Sequence, residues 1–459
     1  MRSLLEKVPE DVAFLVRRLR EKGKRGWIVG GCVRDLLRGK TPKDWDVATD
    51  ARPNEVKRFF PRVIETGIAH GTVTVLVDHR PYEVTTLRGE GAYSDGRRPD
   101  KVEFVDDIVA DLARRDFTFN AIALDPIDGH VIDPFDGKGD LDRGLLRAVG
   151  DPRERFAEDG LRVLRAARFS ATLDVAIDEA TLQAMSSDSA HDTFKKVSAE
   201  RVRDEWVKSM TAGKPSIAFD TMRKTGLLGI TCPELIESVG CTQNRYHSFD
   251  VWGHAMACLD AAEPDAVLRM SALFHDVGKP RSRAFSDKTN DFTFYDHERI
   301  GAEMADPILQ RLRFSNEERQ TIVALVRHHL ICYSADWTDA AVRRWLRRVS
   351  PGLAPLLYKL GRADVRGKGR PVDDELANID ELEERATKLV ADGTALSTRD
   401  LAIKGHDVMK ELGIKPGPVV GRLLDRLLEL VIDDPSRNER DTLIAEAKQI
   451  LSEAEGSKP

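Results

Sequence analysis

Gly30-Gly31-Cys32-Val33-Arg34-Asp35, followed within ten residues by Asp44-Trp45-Asp46, is the stretch on which the reading of this chain turns. The apolar run Gly26-Trp27-Ile28-Val29 predicts a strand, the paired glycines a turn, and the residues after them a short helix. Asp44 and Asp46 are expected on a second strand, where alternate residues share a face and Trp45 points to the other. Two carboxylates on one face can share divalent cations, and magnesium prefers such oxygen ligands while also bridging substrate phosphates. Gly30 and Gly31 leave backbone N–H groups open to an anion at the helix start, and Arg34 adds a charge-assisted contact. Glu83, in Pro81-Tyr82-Glu83-Val84, is expected as a third carboxylate from a neighbouring strand. The set describes a site for a nucleoside triphosphate and Mg2+. One ion would activate an attacking hydroxyl and another would hold the triphosphate.

Outward from this stretch, residues 1–148 alternate strand-like runs with helices. WDVAT reads as a strand, GTVTVLVDHRPYEVTTL as a hairpin, KVEFVDD as a further strand and LARRDFTFNAIAL as helical. This is a mixed α/β domain. From about residue 149 the pattern becomes helical almost to the end, with RFAEDGLRVLRAARFSA and SAERVRDEWVKSM the first helices. Periodicity breaks again at CTQNRYHSFDVWGHAM, which separates a unit at 149–245 from one at 246–375. GKGRPVDDELA is expected to start a linker into a last helical segment at 376–459.

The chain has 459 residues, 41% of them hydrophobic, enough for several cores. Its five cysteines, Cys32, Cys232, Cys241, Cys258 and Cys332, form no CxxC pair and no zinc spacing, so they are expected to be small buried side chains. The N-terminal segment carries charges through its apolar positions and reads as an amphipathic helix. A cytoplasmic protein with no membrane association is expected, as monomer or homodimer. A net charge of −6 provides no bulk attraction to a polyanion, so RNA contact must come from local basic runs. Candidates are Arg17–Arg25, the arginines of 153–168, and Arg343–Arg348.

Of eleven histidines, six fall between residues 247 and 329. His254, His275-Asp276, His297, the adjacent His328 and His329, and Asp364 combine imidazole with carboxylate. That donor set suits Mn, Fe, Ni, Co or Zn. Two such ions about 3.5–4 Å apart could activate water against a phosphoester.

GGCVRD, DWDVATDARPNEV, HGTVTV, YEVTTLR, RRPDKVEF, RRDFTFNAIA and ERFAEDGLRVLRAARF, in this order, resemble class II tRNA nucleotidyltransferases, the CCA-adding enzymes, and their bacterial poly(A) polymerase relatives. The resemblance covers roughly residues 20–215. It implies a head, neck, body and tail, with Asp44 and Asp46 binding metal and Gly30, Gly31 and Arg34 gripping triphosphate. Asp116 would contact the ribose, with Arg115 and Asn120 near sugar and phosphates. Asp159 and Arg162 would read the base. At i and i+3 on one helix they would share a face, with Arg165 one step further along. The partners implied are CTP, ATP and the acceptor end and elbow of tRNA. Poly(A) polymerase, a CC-only or A-only enzyme, and a non-catalytic nucleotide sensor or RNA-binding protein remain as alternatives. The full-length loop over Arg88–Lys101, expected to be mobile, favours complete CCA addition.

The second constellation, H…HD…D with ALFHDVGK, resembles the HD superfamily of metal-dependent phosphohydrolases, which is fused to the transferase in a group of bacterial CCA enzymes. The resemblance makes His254, His275, Asp276 and Asp364 the core ligands, and His297 and His328 candidates for a second metal, with His329 less favoured. It implies hydrolysis of 2′,3′-cyclic phosphates and 2′-nucleotides.

Overall fold

Val12, Leu15, Val16 and Leu19 recur at helical spacing along the helix Glu10–Glu21, and that face is buried. They pack with Ile28, Val47, Val73 and Val84 on one side of a sheet. Trp27, Val29, Ala48 and Ala123 pack on the other side with Ile108, Leu112 and Val149. Both faces of the central strands are thus covered, which accounts for the continuous apolar run of Gly26–Val29.

The computed structural model describes residues 2–68, 71–89 and 103–456. Beyond residue 89, the loop expected over Arg88–Lys101 lies outside the described residues. The sheet has seven strands: β1 (Gly26–Val29), β2 (Asp46–Thr49), β3 (Val63–Gly67), β4 (Thr72–Val77), β5 (Arg80–Thr86), β6 (Ala123–Leu124) and β7 (Val131–Ile132), in the order β3-β4-β5-β2-β1-β6-β7. β2 and β5 run parallel, which places Asp46 opposite Glu83, while the other neighbours are antiparallel. The mixed α/β head followed by helices is the expected fold class.

Three local expectations are corrected. β2 begins at Asp46, and Asp44 lies in a bend before it, so the two acids do not share a strand. Among the described residues, the segment around Phe104 makes an isolated bridge to Arg88 and not a strand, and Asp107 accepts from the Val109 N–H to start the helix Ile108–Ala113. That helix ends before Phe117 and Phe119, whose rings are buried beside Phe169, and the chain returns to the sheet as β6.

The chain divides into two compact units, Met1–Ile236 with Arg311–Phe314, and Glu237–Gln310 with Ser315–Pro459. In the second, one core gathers Cys258, Leu268, Leu325, Trp345, Leu357 and Leu360 together with Ile379, Leu382, Ala386 and Leu389. The last four lie on the helix Asp373–Ala391, so this core crosses the boundary expected at 375/376. A separate core, from Ala395 to Ala447, holds the final helices. In the run Arg343–Arg348, Arg344 and Arg347 pair with Asp425, Glu429 and Asp433, and Arg343 donates to the Ile432 carbonyl. Cys332 is exposed, unlike the buried Cys32, Cys232 and Cys258. No helix among the described residues is long and apolar enough to cross a membrane.

Because Leu382 is fully buried in the core that carries the histidines, Leu382→Ala is expected to destabilise this unit by about 2–5 kcal/mol. Calorimetry should show a lowered transition for the second unit. An unchanged thermogram would place the helix outside that core.

Candidate nucleotide pocket and metal centre

Within the first unit, a cavity of about 640 Å3 opens beside Asp46 and Glu83. Gly30 enters the helix Gly31–Leu37 at φ +75°, close under the Arg115 guanidinium. Arg34 donates to Asn120 Oδ1 at 3.0 Å and Asn120 donates to Asp116 Oδ1 at 3.0 Å. Asp116 accepts from Arg165 through Oδ2 at 2.7 Å. This chain of bonds joins the glycine turn to the helix Leu161–Leu173. Although burial opposes its charge, Asp116 is held down at about 2 by Arg165 and Asn120. Asp46 is pushed up, by burial and then by the neighbouring Glu83, with Asp44 adding to the effect. Asp44, Asp46 and Glu83 together line an adjoining cavity. An acid cluster built of carboxylate oxygen is a donor set that suits Mg2+.

The expected base-reading pair reaches the cavity by a different route. Asp159 is extended, at φ −138°, in a break between the helices Pro152–Glu158 and Leu161–Leu173, so it and Arg162 do not share a helix. A Cβ at Gly160 would lie 2.5 Å from the Thr193 carbonyl oxygen and 2.6 Å from the Phe194 backbone; only glycine lets that chain approach. Asp159 accepts from the Leu161 N–H and from Arg201 Nη2, both at 3.0 Å. Arg162 donates to the Arg155 and Arg114 carbonyls at 3.0 and 2.9 Å and to Glu158 at 2.6 Å. Both side chains line the cavity.

Sequence reasoning missed Arg201 and Lys208 as lining residues. Their signal was a spacing of seven, two helical turns, on the helix Ala199–Ser209. It also missed Phe169, whose ring lies 5.2, 5.3 and 3.8 Å from the guanidinium carbons of Arg34, Arg165 and Arg168. Cation–π attraction holds three positive groups around one ring. The cavity therefore offers a strongly basic wall opposite its acids, the polarity that a triphosphate with magnesium requires.

In the second unit, four imidazoles converge. His254 Nδ1 lies 3.1 Å from the Gly367 carbonyl, while His275, His297 and His329 each set Nδ1 2.7 Å from the carbonyl three residues earlier. An Nδ1–H donated outward leaves the Nε2 lone pair pointing inward, the tautomer a metal ligand needs. His254 Nε2 lies 3.2 Å from His275 Nε2, and His297 Nε2 lies 3.3 Å from His329 Nε2. Two inward lone pairs at that distance repel unless a cation stands between them. Asp276 bridges the two pairs, with Oδ2 3.4 and 3.2 Å from His254 and His275, and Oδ1 3.4 and 3.7 Å from His297 and His329. Asp364 Oδ1 lies 3.0 Å from His254 Nε2. Despite burial, the carboxylates push His275 up to about 9, while burial and the neighbouring His275 hold His329 down at about 3. Four imidazoles and two carboxylates thus face a centre that favours positive charge. This is a divalent-metal-binding site.

Which of the adjacent histidines belongs to it is corrected by the structure. Neighbouring residues on a helix point about 100° apart, and His329 takes the inward direction, fully buried. His328 lies beside Arg348 and Arg327, which with burial lower its pKa. Gly278, next to the His-Asp pair, allows the approach of the helix His297–Arg311: a Cβ there would meet the His297 carbonyl at 2.2 Å. Cys258 Sγ sits 3.6 and 3.5 Å from Nδ1 and Nε2 of His254, grouped with His254, His275 and Asp364.

A sheet-borne acid cluster under a basic cavity, with a buried histidine–aspartate metal centre elsewhere in the chain, defines a nucleotidyltransferase joined to a metal-dependent phosphohydrolase unit. Residues 26–147 match the family described as "Poly A polymerase head domain", 174–238 that described as "Probable RNA and SrmB- binding site of polymerase A", and 245–360 that described as "HD domain". The CCA-adding enzyme of Ligilactobacillus salivarius is 31% identical over 98% of this chain and 99% of its own. That of Pediococcus pentosaceus is 34% identical over 95% and 96%. The structure of the Bacillus stearothermophilus CCA-adding enzyme in complex with CTP is similar at TM-score 0.75 and 26% identity, covering 98% of this chain and 99% of that one. The chain belongs to the CCA-adding enzyme family.

Two predictions follow from the geometry. Gly160→Ala is expected to displace Asp159 and Arg162 and to lower kcat/KM for nucleotide addition at least tenfold; steady-state kinetics with CTP would show it, and wild-type rates would mean the break tolerates a side chain. His329→Ala is expected to lower the number of Co(II) ions retained per chain, as counted by atomic spectroscopy, whereas His328→Ala is not. The reverse result would restore His328 as the ligand.

Proposed function

We propose that this chain adds CMP twice and AMP once to the 3′ end of tRNA, releasing pyrophosphate, with the choice of nucleotide made by protein side chains. The observation that carries this is the way Asp159 and Arg162 are held. Arg162 uses three of its five N–H groups on Arg155, Arg114 and Glu158, which leaves Nε–H and one Nη2–H to donate. Asp159 has each oxygen engaged once, by Leu161 and Arg201, and keeps a lone pair on each. A fixed acceptor beside a fixed donor matches the edge of cytosine, with its amino group and N3, and that of adenine, with its amino group and N1. Guanine and uracil would set acceptor against acceptor and donor against donor, costing roughly 1–3 kcal/mol per buried unmade bond.

Asp44, Asp46 and Glu83 would hold Mg2+, which would activate the attacking hydroxyl and neutralise charge on the leaving pyrophosphate. The chain's own residues do the rest. Arg34, Arg115 and the arginines around Phe169 would bind and orient the phosphates for in-line attack, and Asp116, fixed by Arg165 and Asn120, would contact the ribose. The elbow of the tRNA would lie against the final helices. In the histidine–aspartate centre a transition metal, one of Mn, Fe, Ni, Co or Zn, would be held by His254, His275, Asp276 and Asp364, with His297 and His329 completing a second position. The reaction we assign to it is hydrolysis of 2′,3′-cyclic phosphates or 2′-phosphates at damaged ends.

Incubation of tRNA ending before CCA, in C and in CC, with CTP and ATP singly and together decides the first assignment. Growth to CCA that then stops is expected; long A tails would make the chain a poly(A) polymerase, and arrest after CC a CC-only enzyme. Because the acids lie in the first unit and the histidines in the second, Asp44→Ala with Asp46→Ala should reduce nucleotide addition to background and spare hydrolysis of a nucleoside 2′,3′-cyclic phosphate. His275→Ala should do the reverse. Loss of both activities in a folded variant would refute separate sites.

A further inference from the structure

The mouth of the histidine–aspartate centre is aromatic. A cavity of about 340 Å3 has Asp276, His297, His329 and Asp364 at one part of its wall, and Phe292, Phe294, Tyr295 and Leu330 at another. Phe292 and Phe294 are anchored: Phe292 lies edge-on to Phe285 at 5.6 Å under the Arg283 guanidinium, and Phe294 is buried beside Lys279. Tyr295 is 80% exposed and Leu330 40% exposed. Tyr295 stands between the strand Asp291–Thr293 and the helix that starts at the metal-centre residue His297. A single residue, Asp296, therefore separates an uncovered ring from the buried imidazole of His297 at the metal centre.

Tyr295 is uncovered and lines the cavity, so it presents a flat apolar face to whatever enters it. Hydrolysis of a phosphoester needs only the metal centre and nearby cations. It gives no reason for a flat apolar face beside the phosphate position. A nucleobase does: every base has a π-face, and stacking on an exposed aromatic side chain is tolerant of sequence. The cavity is at the small end of ligand sites, the size of one nucleotide rather than of a duplex. Lys279 is committed to Gln243 at 2.7 Å and to Asp276 at 2.6 Å, which holds positive charge at the metal end.

We propose that Tyr295 is a specificity-determining residue of the phosphohydrolase centre, stacking the base whose ribose carries the phosphate to be hydrolysed, so that this centre acts on the terminal nucleotide of a single strand or on a free nucleotide and not on phosphoesters at large. The proposal rests on the hydrolase assignment above. Leu330, on the same wall, is the apolar side chain left for the base edge.

The test compares the metal-loaded full-length protein on a nucleoside 2′,3′-cyclic phosphate and on methyl riboside 2,3-cyclic phosphate, which lacks the base. Wild type is expected to prefer the nucleoside through a lower KM. Tyr295→Ala should shrink that preference by about ten- to a hundredfold, and Tyr295→Phe should keep it. An RNA fragment ending in a 2′,3′-cyclic phosphate distinguishes a strand end from a free nucleotide by which of the two is most sensitive to Tyr295. Equal preference in wild type and Tyr295→Ala would overturn the proposal while leaving the hydrolase assignment standing. If no cyclic phosphate is hydrolysed, that assignment fails. Equilibrium binding of adenosine 2′-phosphate and ribose 2-phosphate to the metal-loaded protein then decides on Tyr295 alone: a Tyr295→Ala loss confined to the nucleotide supports it, and no loss rejects it.

Discussion

Asp46 and Glu83 stand opposite each other on parallel strands, and the hydrogen-bonded register of β2 with β5 prevents them from moving apart. Burial and then the neighbouring Glu83 raise the cost of ionising Asp46. The rest of the first unit answers this charge. The glycine turn brings the Arg34 helix to the same strand end, and Asp116 and Asn120 tie that helix to Arg165. Phe169 then gathers Arg34, Arg165 and Arg168. Acid on the sheet and base on the helices face one cavity, so an anionic nucleotide with its cation completes the electrostatics.

The second unit solves a related problem with neutral donors. Four histidines are locked by outward Nδ1 contacts to backbone carbonyls, and Asp276 spans both pairs. The ring orientations are set by helix ends, where carbonyls are free to accept. His275 and His329 each close a helix, and their imidazoles use the carbonyls three residues back. A metal site built on helix termini is rigid without requiring additional side chains to orient its ligands.

Much of this was legible in the residue order. Strands β1, β2, β4 and β5 follow from local apolar patterning, and the DxD, His-Asp and Asp364 positions were recognisable by residue type. What misled was continuity. RFAEDGLRVLRAARFSA has helical periodicity throughout, yet the chain breaks at Asp159–Gly160 because the backbone of Thr193 and Phe194 occupies the space a side chain would need. Likewise Asp44 keeps its proximity to Asp46 without sharing its strand. The helical signal of ELEERATKLVAD was legible, but GKGRPVDDELA looked like the start of a linker, and only the burial of Ile379, Leu382, Ala386 and Leu389 shows that the helix Asp373–Ala391 belongs to the preceding core.

Residue type and spacing alone determined which chemistry this chain can perform: carboxylates with a glycine turn for nucleotidyl transfer, and imidazoles with aspartates for a metal centre. Tertiary structure alone decided which of His328 and His329 faces inward, that Arg201 holds Asp159, and that Phe169 assembles the arginines. The reason is that local sequence encodes periodicity and donor type, whereas the direction of a side chain depends on neighbours contributed by distant segments. A helix fixes angles between its own residues, and only packing fixes what those angles point at.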